Sequence, residues 1–342
     1  MNCIKTTLLV FLLTTASHAE IPTVTPRMID LEGPLADRQA EISGMAWYAD
    51  TLVIMPQFPN RFAEGPELGF FIVTKSEIMA VIDGRAEGPL EPRLETCHAP
   101  GLAGIVRGFD GLEAIAMVGN HSFFTVEAKA DTAMAGYLVS GITDIDSGDK
   151  VAIDLSRLTP IPLGVNIPNI AEESIIIDGD RVITLSEANG RNANPLRTAK
   201  VFSLDAEYIG QLPMPQIEYR VTDATSLDAN DRFWVINYYF PPEGRKIKPA
   251  PDPELERFGD PASFDPLDCI ERLIELQLVR DRCGDFIERT SNPPINLELL
   301  PDRQCRNWEA LVRLDDRGFL VMTDKFPTTL LAFVPWDFKE NE

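Results

Sequence analysis

The chain has 342 residues, with 53 Asp and Glu against 31 Lys and Arg, and a formal net charge of −22. A protein this acidic is repelled by nucleic acid and by anionic membranes, so neither is an expected partner. Its 27 prolines suit a loop-rich β protein better than a helical one.

The first nineteen residues have the pattern of a secretory signal peptide. Lys5 precedes the apolar residues 8–13, and Ser17-His18-Ala19 is a small-residue cleavage site. The apolar stretch is too short to span a bilayer, and no later segment is apolar enough to insert into a membrane. We therefore expect a periplasmic or secreted mature chain, residues 20–342, that forms one domain and is a monomer.

A short motif recurs five times and predicts the fold. Each copy has an oxygen-bearing residue, a small residue and a strand-like run. The copies begin at Ser43, Glu113, Glu173, Thr225 and Glu309. A turn and a second apolar run follow each copy, and these runs end at Gln57, Glu127, Glu187, Asn237 and Asp324. A strand pair that recurs at intervals of roughly 40–60 residues is typical of a β-propeller blade.

Further strands complete the predicted blades. They are rich in Val, Ile, Phe and Leu, are separated by turn residues, and cover residues 68–74, 78–83, 137–141, 150–155, 200–205, 272–279 and 330–334. The last blade lacks a fourth strand, while the strand at 28–31 has no blade of its own. We predict that residues 28–31 pair with 330–334. The result is an all-β, five-bladed β-propeller closed by an N-terminal strand; the alternative is six blades.

Two features stand outside the repeat. The connection at residues 241–268 is long and Pro-rich and carries Arg245 and Lys246; both a lid and an inert excursion are open interpretations. Four cysteines remain after cleavage, as expected for disulfides in an exported protein. Cys269 and Cys305 are predicted at the same end of neighbouring blades, so we predict that they pair. A Cys269–Cys283 bond would contradict this strand assignment.

The first residues of the five motifs are predicted to form a ring of oxygens, because the first strand of each blade lines the central channel. Glu113, Glu173 and Glu309 would repel one another there unless protons or a cation compensate. Calcium suits this ring, since it takes six to eight oxygen ligands, whereas the absence of His and Cys disfavours zinc and copper. We predict one Ca²⁺ ion held by these glutamates with oxygens of Ser43 and Thr225. In the alternative, the five residues only cap the strands.

A basic rim is predicted just outside the second strand ends. Its cations are Arg61, Lys129, Arg191, Arg245 and Lys325. A metal-loaded acidic centre with a basic rim suits a small anionic ligand, particularly a phosphate ester. Glu127 and Glu187 are candidate catalytic residues that position water.

Two resemblances support this interpretation. Asn307-Trp308-Glu309-Ala310-Leu311-Val312 and Gly318-Phe319-Leu320-Val321-Met322-Thr323-Asp324-Lys325-Phe326 resemble the closing blade of the esterase-like phytase propeller family, and Asp110-Gly111-Leu112-Glu113-Ala114-Ile115 resembles another of its blades. The resemblance covers most of residues 40–335. The order Ser, Glu, Glu, Thr, Glu is also similar to the calcium site of five-bladed calcium-dependent apyrases, with Thr225 where Ser is expected. No apyrase catalytic set can be matched outside the ring.

Two functions are therefore open. The first is an exported, calcium-binding hydrolase of phosphate esters, phytase-like or nucleotidase-like. The second is a non-catalytic propeller that binds a ligand or an envelope protein with the same mouth. The fold cannot decide between them, because propellers host both.

Overall fold

The computed structural model describes residues 21–65, 67–99, 101–130, 133–144, 149–259, 265, 267–302 and 304–338. The predicted signal peptide, residues 1–19, lies outside these ranges. The described chain is dominated by β-strands, and its few helices are short. None of the helices in these ranges is long and apolar enough to cross a membrane.

In the described ranges, the strands form four hydrogen-bonded sheets, and the largest joins two antiparallel four-stranded units through a parallel pairing of Ala152 with His98. The chain therefore forms five successive antiparallel units, of which the first two share one sheet. Two short strands precede them, β1 (Thr23–Val24) and β2 (Arg27–Ile29). The first unit contains β3 (Ile42–Tyr48), β4 (Thr51–Pro56), β5 (Glu67–Thr74) and β6 (Arg93–His98). The second contains β7 (Phe109–Val118), β8 (His121–Ala130), β9 (Ala133–Asp144) and β10 (Asp149–Ile161). The third contains β11 (Glu172–Asp178), β12 (Arg181–Ser186), β13 (Thr198–Ser203) and β14 (Tyr208–Pro213).

The last two units recruit the N-terminal strands. The fourth contains β15 (Arg220–Ala224), β16 (Arg232–Tyr239), β17 (Ile270–Asp281), β18 (Gly284–Arg289) and β19 (Ile295–Leu297), and β1 pairs with β19. The fifth contains β20 (Trp308–Arg313), β21 (Gly318–Thr323) and β22 (Leu331–Pro335), with β2 as its fourth strand. Met28 pairs with Ala332 and Ile29 with Leu331, so the predicted N-terminal closure is confirmed.

The first strands of the units close a ring. β3 contacts β7, β7 contacts β11, β11 contacts β15, β15 contacts β20, and β20 contacts β3 again. Each interface between neighbouring units is filled by its own cluster of buried apolar residues within the described ranges. On β8, Phe124 packs toward the first unit and Phe123 toward the third. Both faces of a strand are therefore buried, which explains apolar runs without alternation. This arrangement confirms the predicted β-propeller.

One predicted strand is wrong. Residues 78–83 fall largely in helix α1 (Lys75–Ile82), which leads to β6. Thr74 and Glu77 form a capping box, in which each side chain bonds the backbone N–H of the other. The sequence Thr-Lys-Ser-Glu carries this helix-start signal, and it outweighs the β-branched character of the following run. The other six predicted strands coincide with parts of β5, β9, β10, β13, β17 and β22.

The remaining helices lie in connections. They are α2 (Leu102–Ile105), α3 (Gly244–Ile247) and α4 (Pro253–Phe258), with 3₁₀ turns at Pro34–Ala36, Arg38–Ala40, Pro59–Phe62 and Pro241–Glu243. Two of the helices, α3 and α4, lie in the long connection between β16 and β17. This connection ends at Cys269, which forms the predicted disulfide with Cys305, their Cα atoms being 5.7 Å apart.

Candidate active site

A β-bulge recurs at the same register in every first strand and aims the motif residues. On β7, Leu112 pairs with Val126 and Ala114 with Thr125, so Glu113 is the extra residue. Ser43, Glu173 and Glu309 occupy the same position on β3, β11 and β20. A bulge redirects its side chain out of the normal alternation of the strand. The bulge therefore explains why these oxygens recur ahead of a small residue.

The fourth member of the ring was predicted two residues too late. On β15, Val221 pairs with Asn237 and Ala224 with Val235, so the bulge covers Thr222 and Asp223. Asp223 precedes the small residue Ala224, as the other ring residues precede theirs, and we assign it to the ring. Thr225 lies beyond the strand, where its Oγ1 accepts a hydrogen bond from the N–H of Trp234 at 3.0 Å. Thr225 therefore does not belong to the ring.

Two ring residues use their side chains to bind backbone, although one of them, Ser43, also lines the central cavity. The Ser43 hydroxyl donates to the carbonyl of Leu112 on the next unit at 2.6 Å. The Asp223 carboxyl group accepts from the N–H of Leu311 at 2.6 Å, which joins the fourth unit to the fifth. Burial raises the pKa of Asp223 well above its ordinary value. For these two, the alternative of a strand cap describes the contacts better than a free ligand.

The three ring glutamates open onto one cavity of about 510 Å³ at the end of the channel. Gln57 and Asp324, which end second strands as predicted, also line it. The Gln57 amide donates to Oε1 of Glu113 at 2.9 Å. The Asn307 amide donates to Oε1 of Glu309 at 2.6 Å. Both predicted rings thus contribute to one mouth.

Arg220 lies among these carboxyl groups and was missed by the sequence analysis. Its guanidinium donates to Oε1 of Glu309 at 3.0 Å and to Oδ1 of Asn307 at 3.2 Å, and it forms an ion pair with Glu187. Oε2 of Glu173 lies 3.7 Å away. Arg220 therefore supplies a fixed positive charge to the acidic ring.

Nothing in the repeat marks this arginine. The same position, three residues before the bulge, is occupied in the other units by Ala40, Asp110, Ile170 and Arg306. Arg306 on the fifth unit turns to a different carboxylate, that of Glu271, at 2.8 Å. A signal for Arg220 would have required the correct bulge register.

The ring glutamates hold their protons more firmly than an exposed carboxyl group. Burial, and then the charge of neighbouring carboxylates, raises the pKa of Glu113 well above its usual value. Burial also raises the pKa of Glu173 to about 7 and that of Glu309 well above its usual value, although Arg220 opposes both changes. Glu173 and Glu309 share a hydrogen bond. We treat them as a pair that holds one proton between them.

The predicted catalytic residues lie just behind the cavity. Glu127 is buried, and burial followed by the charge of Glu173 raises its pKa to about 8. Glu187 is fully buried and forms an ion pair with Arg220. Neither is among the described residues that line the cavity. Glu187 suits positioning of Arg220, and the charge of Glu127 acts on Glu113 by raising its pKa; direct catalytic roles of both stay predictions.

Of the five predicted substrate-binding cations, Lys325 lines the cavity. Its Nζ and a guanidinium nitrogen of Arg61 contact the Glu41 carboxylate at 2.6 and 2.7 Å. Although burial opposes ionisation, these hydrogen bonds hold the pKa of Glu41 below its usual value. Much of the charge at this side of the rim is therefore already paired.

The other predicted rim cations are exposed, namely Lys129, Arg191 and Arg245. Arg191 donates to the side chain of Gln216 at 3.4 Å. Lys246, which follows Arg245, is instead half-buried and donates to the carbonyl of Asn169 at 3.1 Å. The long connection therefore delivers Lys246, and not Arg245, to the cavity edge.

The residues that line the cavity offer oxygen donors to a calcium ion, but they do not form a complete coordination site. Among the described residues, no group of three or more His, Cys, Asp or Glu side chains is placed to hold a metal ion. A calcium ion between Glu173 and Glu309 would have to displace their shared proton and share them with the Arg220 guanidinium. Calcium binding stays a prediction, and no chemical step is derived through it.

Comparisons with known proteins identify no family: no family model and no curated protein matches this chain. Solved structures with a similar chain trace include a GH43 endo-arabinanase from Bacillus licheniformis. The two chains are 10% identical, 91% of this chain and 98% of that chain are covered, and the TM-score is 0.45. A Bombyx mori GH32 β-fructofuranosidase has 14% identity, coverages of 92% and 61%, and a TM-score of 0.42. A third similar structure comes from the GH130 family of mannoside phosphorylases, which contains glycoside hydrolases that target β-1,2 mannosidic linkages in Candida mannan. The identity is 9%, 95% of this chain and 93% of that chain are covered, and the TM-score is 0.46. Likenesses this weak carry no argument about the reaction.

Proposed function

We propose that this chain is a propeller hydrolase of phosphate esters and that its reaction takes place in the axial mouth. The observation that carries the proposal is the placement of Glu113, Glu173 and Glu309 on one solvent-open cavity beside Arg220. Buried carboxyl groups that keep a proton near neutral pH, next to others that are ionised, can act as general acid and general base.

The roles follow from the contacts. Glu113 keeps its proton, because burial and the neighbouring carboxylates raise its pKa, and donates it to the leaving-group oxygen. In the Glu173–Glu309 pair, one carboxyl group is ionised, and the nearby Arg220 guanidinium stabilises its charge. This carboxylate orients a water molecule toward the phosphorus atom. Arg220 also attracts the negative oxygens of the ester. Glu127 keeps Glu113 protonated, because a second carboxyl group beside it makes ionisation of both unfavourable.

Phosphate is favoured as the substrate group by the cations near the mouth. Lys325 and Arg220 line the cavity, and Lys246 lies at its edge. Protonated glutamates remove much of the repulsion that an anionic ester would meet. The resemblance to phytase propellers and to apyrases points to the same class, and a bound Ca²⁺ ion would further attract the ester.

The alternative is a propeller that binds an anionic ligand without reaction. It is favoured by one observation: Glu127 and Glu187, which the sequence assigned to catalysis, are not among the described residues that line the cavity. The two functions differ in what Glu113→Gln does. In a hydrolase, the substitution abolishes release of phosphate and leaves phosphate binding intact. In a binding protein, the wild type releases no phosphate from any ester in a panel, with or without calcium.

A further inference from the structure

The connection after β16, described over residues 240–259, begins as a wall of the mouth, because Phe240 and Glu243 line the cavity. Ile247 on α3 is buried in an apolar cluster that includes Ile170 and Tyr219. Beyond it, the Asn192 amide donates to the carbonyl of Lys248 at 2.9 Å. These contacts fix the backbone directly after Lys246.

The far end of this wall is held by buried ion pairs. Asp252 caps α4 and contacts the Arg272 guanidinium at 2.8 Å, and both side chains are almost fully buried. Glu254 on α4 contacts Arg289 at 2.6 Å. Since buried partners of this kind are costly to separate, the described part of the connection belongs to the folded domain rather than to an inert excursion.

The phase of α3 separates its two cations. Arg245 is exposed, whereas the Lys246 ammonium lies 3.1 Å from the Asn169 carbonyl and 3.6 Å from Oε1 of Glu243. Asn169 and Glu243 both line the cavity. Lys246 therefore holds a positive charge at the edge of the mouth, on a backbone that cannot easily move away.

The bonding capacity of Lys246 is only partly used. An ammonium group has three N–H donors, and one of them is taken by a neutral carbonyl. Glu243 forms an ion pair with Lys246 at 3.6 Å, which is longer than a normal hydrogen bond. Burial lowers the pKa of Lys246. An anion that enters the cavity would therefore stabilise the charged form of this side chain. A phosphate oxygen would give it the short charge-assisted hydrogen bond that it lacks here.

We propose that Lys246 binds the phosphate group of the substrate, which makes the connection after β16 the specificity element of the mouth. This inference rests on the proposed function for its substrate class, but it concerns binding and is measured without turnover. It replaces Arg245, the cation that the sequence singled out in this segment.

The test is calorimetric titration with inorganic phosphate at pH 5.5. Lys246→Gln is expected to weaken phosphate binding about tenfold or more, as for a lost charge-assisted hydrogen bond, and Lys246→Arg is expected to recover most of it. Lys248→Gln removes the same charge from an exposed side chain two residues later and is expected to bind like the wild type. An unchanged melting temperature shows that each variant is folded.

The outcomes separate this inference from the proposed reaction. If Lys246→Gln loses phosphate binding while no ester is cleaved even by the wild type, the inference stands and the hydrolase proposal fails. If esters are cleaved and Lys246→Gln binds phosphate as tightly as the wild type, the inference is overturned and the hydrolase proposal stands. Absence of phosphate binding by the wild type also overturns the inference.

Discussion

The Arg220 guanidinium donates to the Glu309 carboxylate at 3.0 Å and thereby joins β15 to β20 at the mouth of the channel. The same guanidinium pairs with Glu187 at its other edge. One side chain thus offsets part of the repulsion in a ring of buried acids. The stability of the ring and the protonation of its glutamates both depend on this contact.

Arg220→Met is expected to lower the free energy of unfolding by roughly 3–5 kcal/mol, the usual cost of leaving a buried partner unpaired. The loss is expected to be larger at pH 8 than at pH 5.5, where protonation of the abandoned carboxylates relieves it. Urea denaturation at the two pH values measures both effects. Arg280→Met is the control, since this exposed arginine pairs with Asp231 and Asp178 at the surface and its loss should cost no more than about 1 kcal/mol.

The stability of the wild type is expected to fall as pH rises from about 4.5 to 8. Glu127 has a pKa of about 8 and Glu173 a pKa of about 7 in the folded state, against 4.5 as the ordinary value. The folded chain therefore binds more protons than the unfolded chain throughout this window, and stability decreases with pH. Glu127→Gln should flatten the upper part of the curve in urea titrations with a chelator present. Stability that rises between pH 5 and 8 would mean that these groups are ionised in the fold.

Calcium, if it binds the ring as the sequence predicts, has to displace protons. It is therefore expected to raise the melting temperature at pH 8 and much less at pH 5.5, by mass action on the folded state. Glu173→Gln should remove most of the increase, whereas Glu207→Gln, at an exposed position, should leave it. Equal melting temperatures in calcium and in chelator at pH 8 would count against a calcium site.

The disulfide is expected to contribute more to the free energy of unfolding than the free Cys283 thiol does. Replacing Cys269 and Cys305 together by alanine opens a loop with a sequence separation of 36 residues, and should cost roughly 3–4 kcal/mol on the chain-entropy model. Cys283 is free and exposed, so Cys283→Ala should change stability by less than about 0.5 kcal/mol. Denaturation of both variants under the same non-reducing conditions makes the comparison.

The recurring motif predicted much of the fold because every blade needs the same small residue beside the same bulge. Glu113, Glu173 and Glu309 were correctly brought to one mouth for this reason. Thr225 was misplaced by two residues, since in the fourth unit the sequence Asp-Ala-Thr-Ser offers three oxygen-bearing residues and the strand register favours Asp223. The choice between Asp223 and Thr225 concerns neighbouring residues, but it is decided by how β15 pairs with β16.

Two cations could not be found from the sequence for a related reason. Arg220 precedes the motif at a position that holds Ala40, Asp110 and Ile170 in three units and Arg306, which contacts Glu271 instead, in the fifth, so the repeat does not identify its role. The choice between Arg245 and Lys246 depends on the phase of one helical turn in a Pro-rich segment, which is set by burial of Ile247. Both depend on contacts between residues far apart in sequence.

The measurement that tests the central claim most directly is the initial rate of phosphate release at pH 7 from a panel of phosphate monoesters. The wild type is compared with Glu113→Gln and, as the matched control, Glu207→Gln. We expect turnover by the wild type and by Glu207→Gln, and a loss of about 100-fold or more in kcat for Glu113→Gln, the size typical of a missing general acid. Cleavage by Glu113→Gln at the wild-type rate, or no cleavage of any ester by the wild type, would contradict the proposed hydrolase site at the axial mouth.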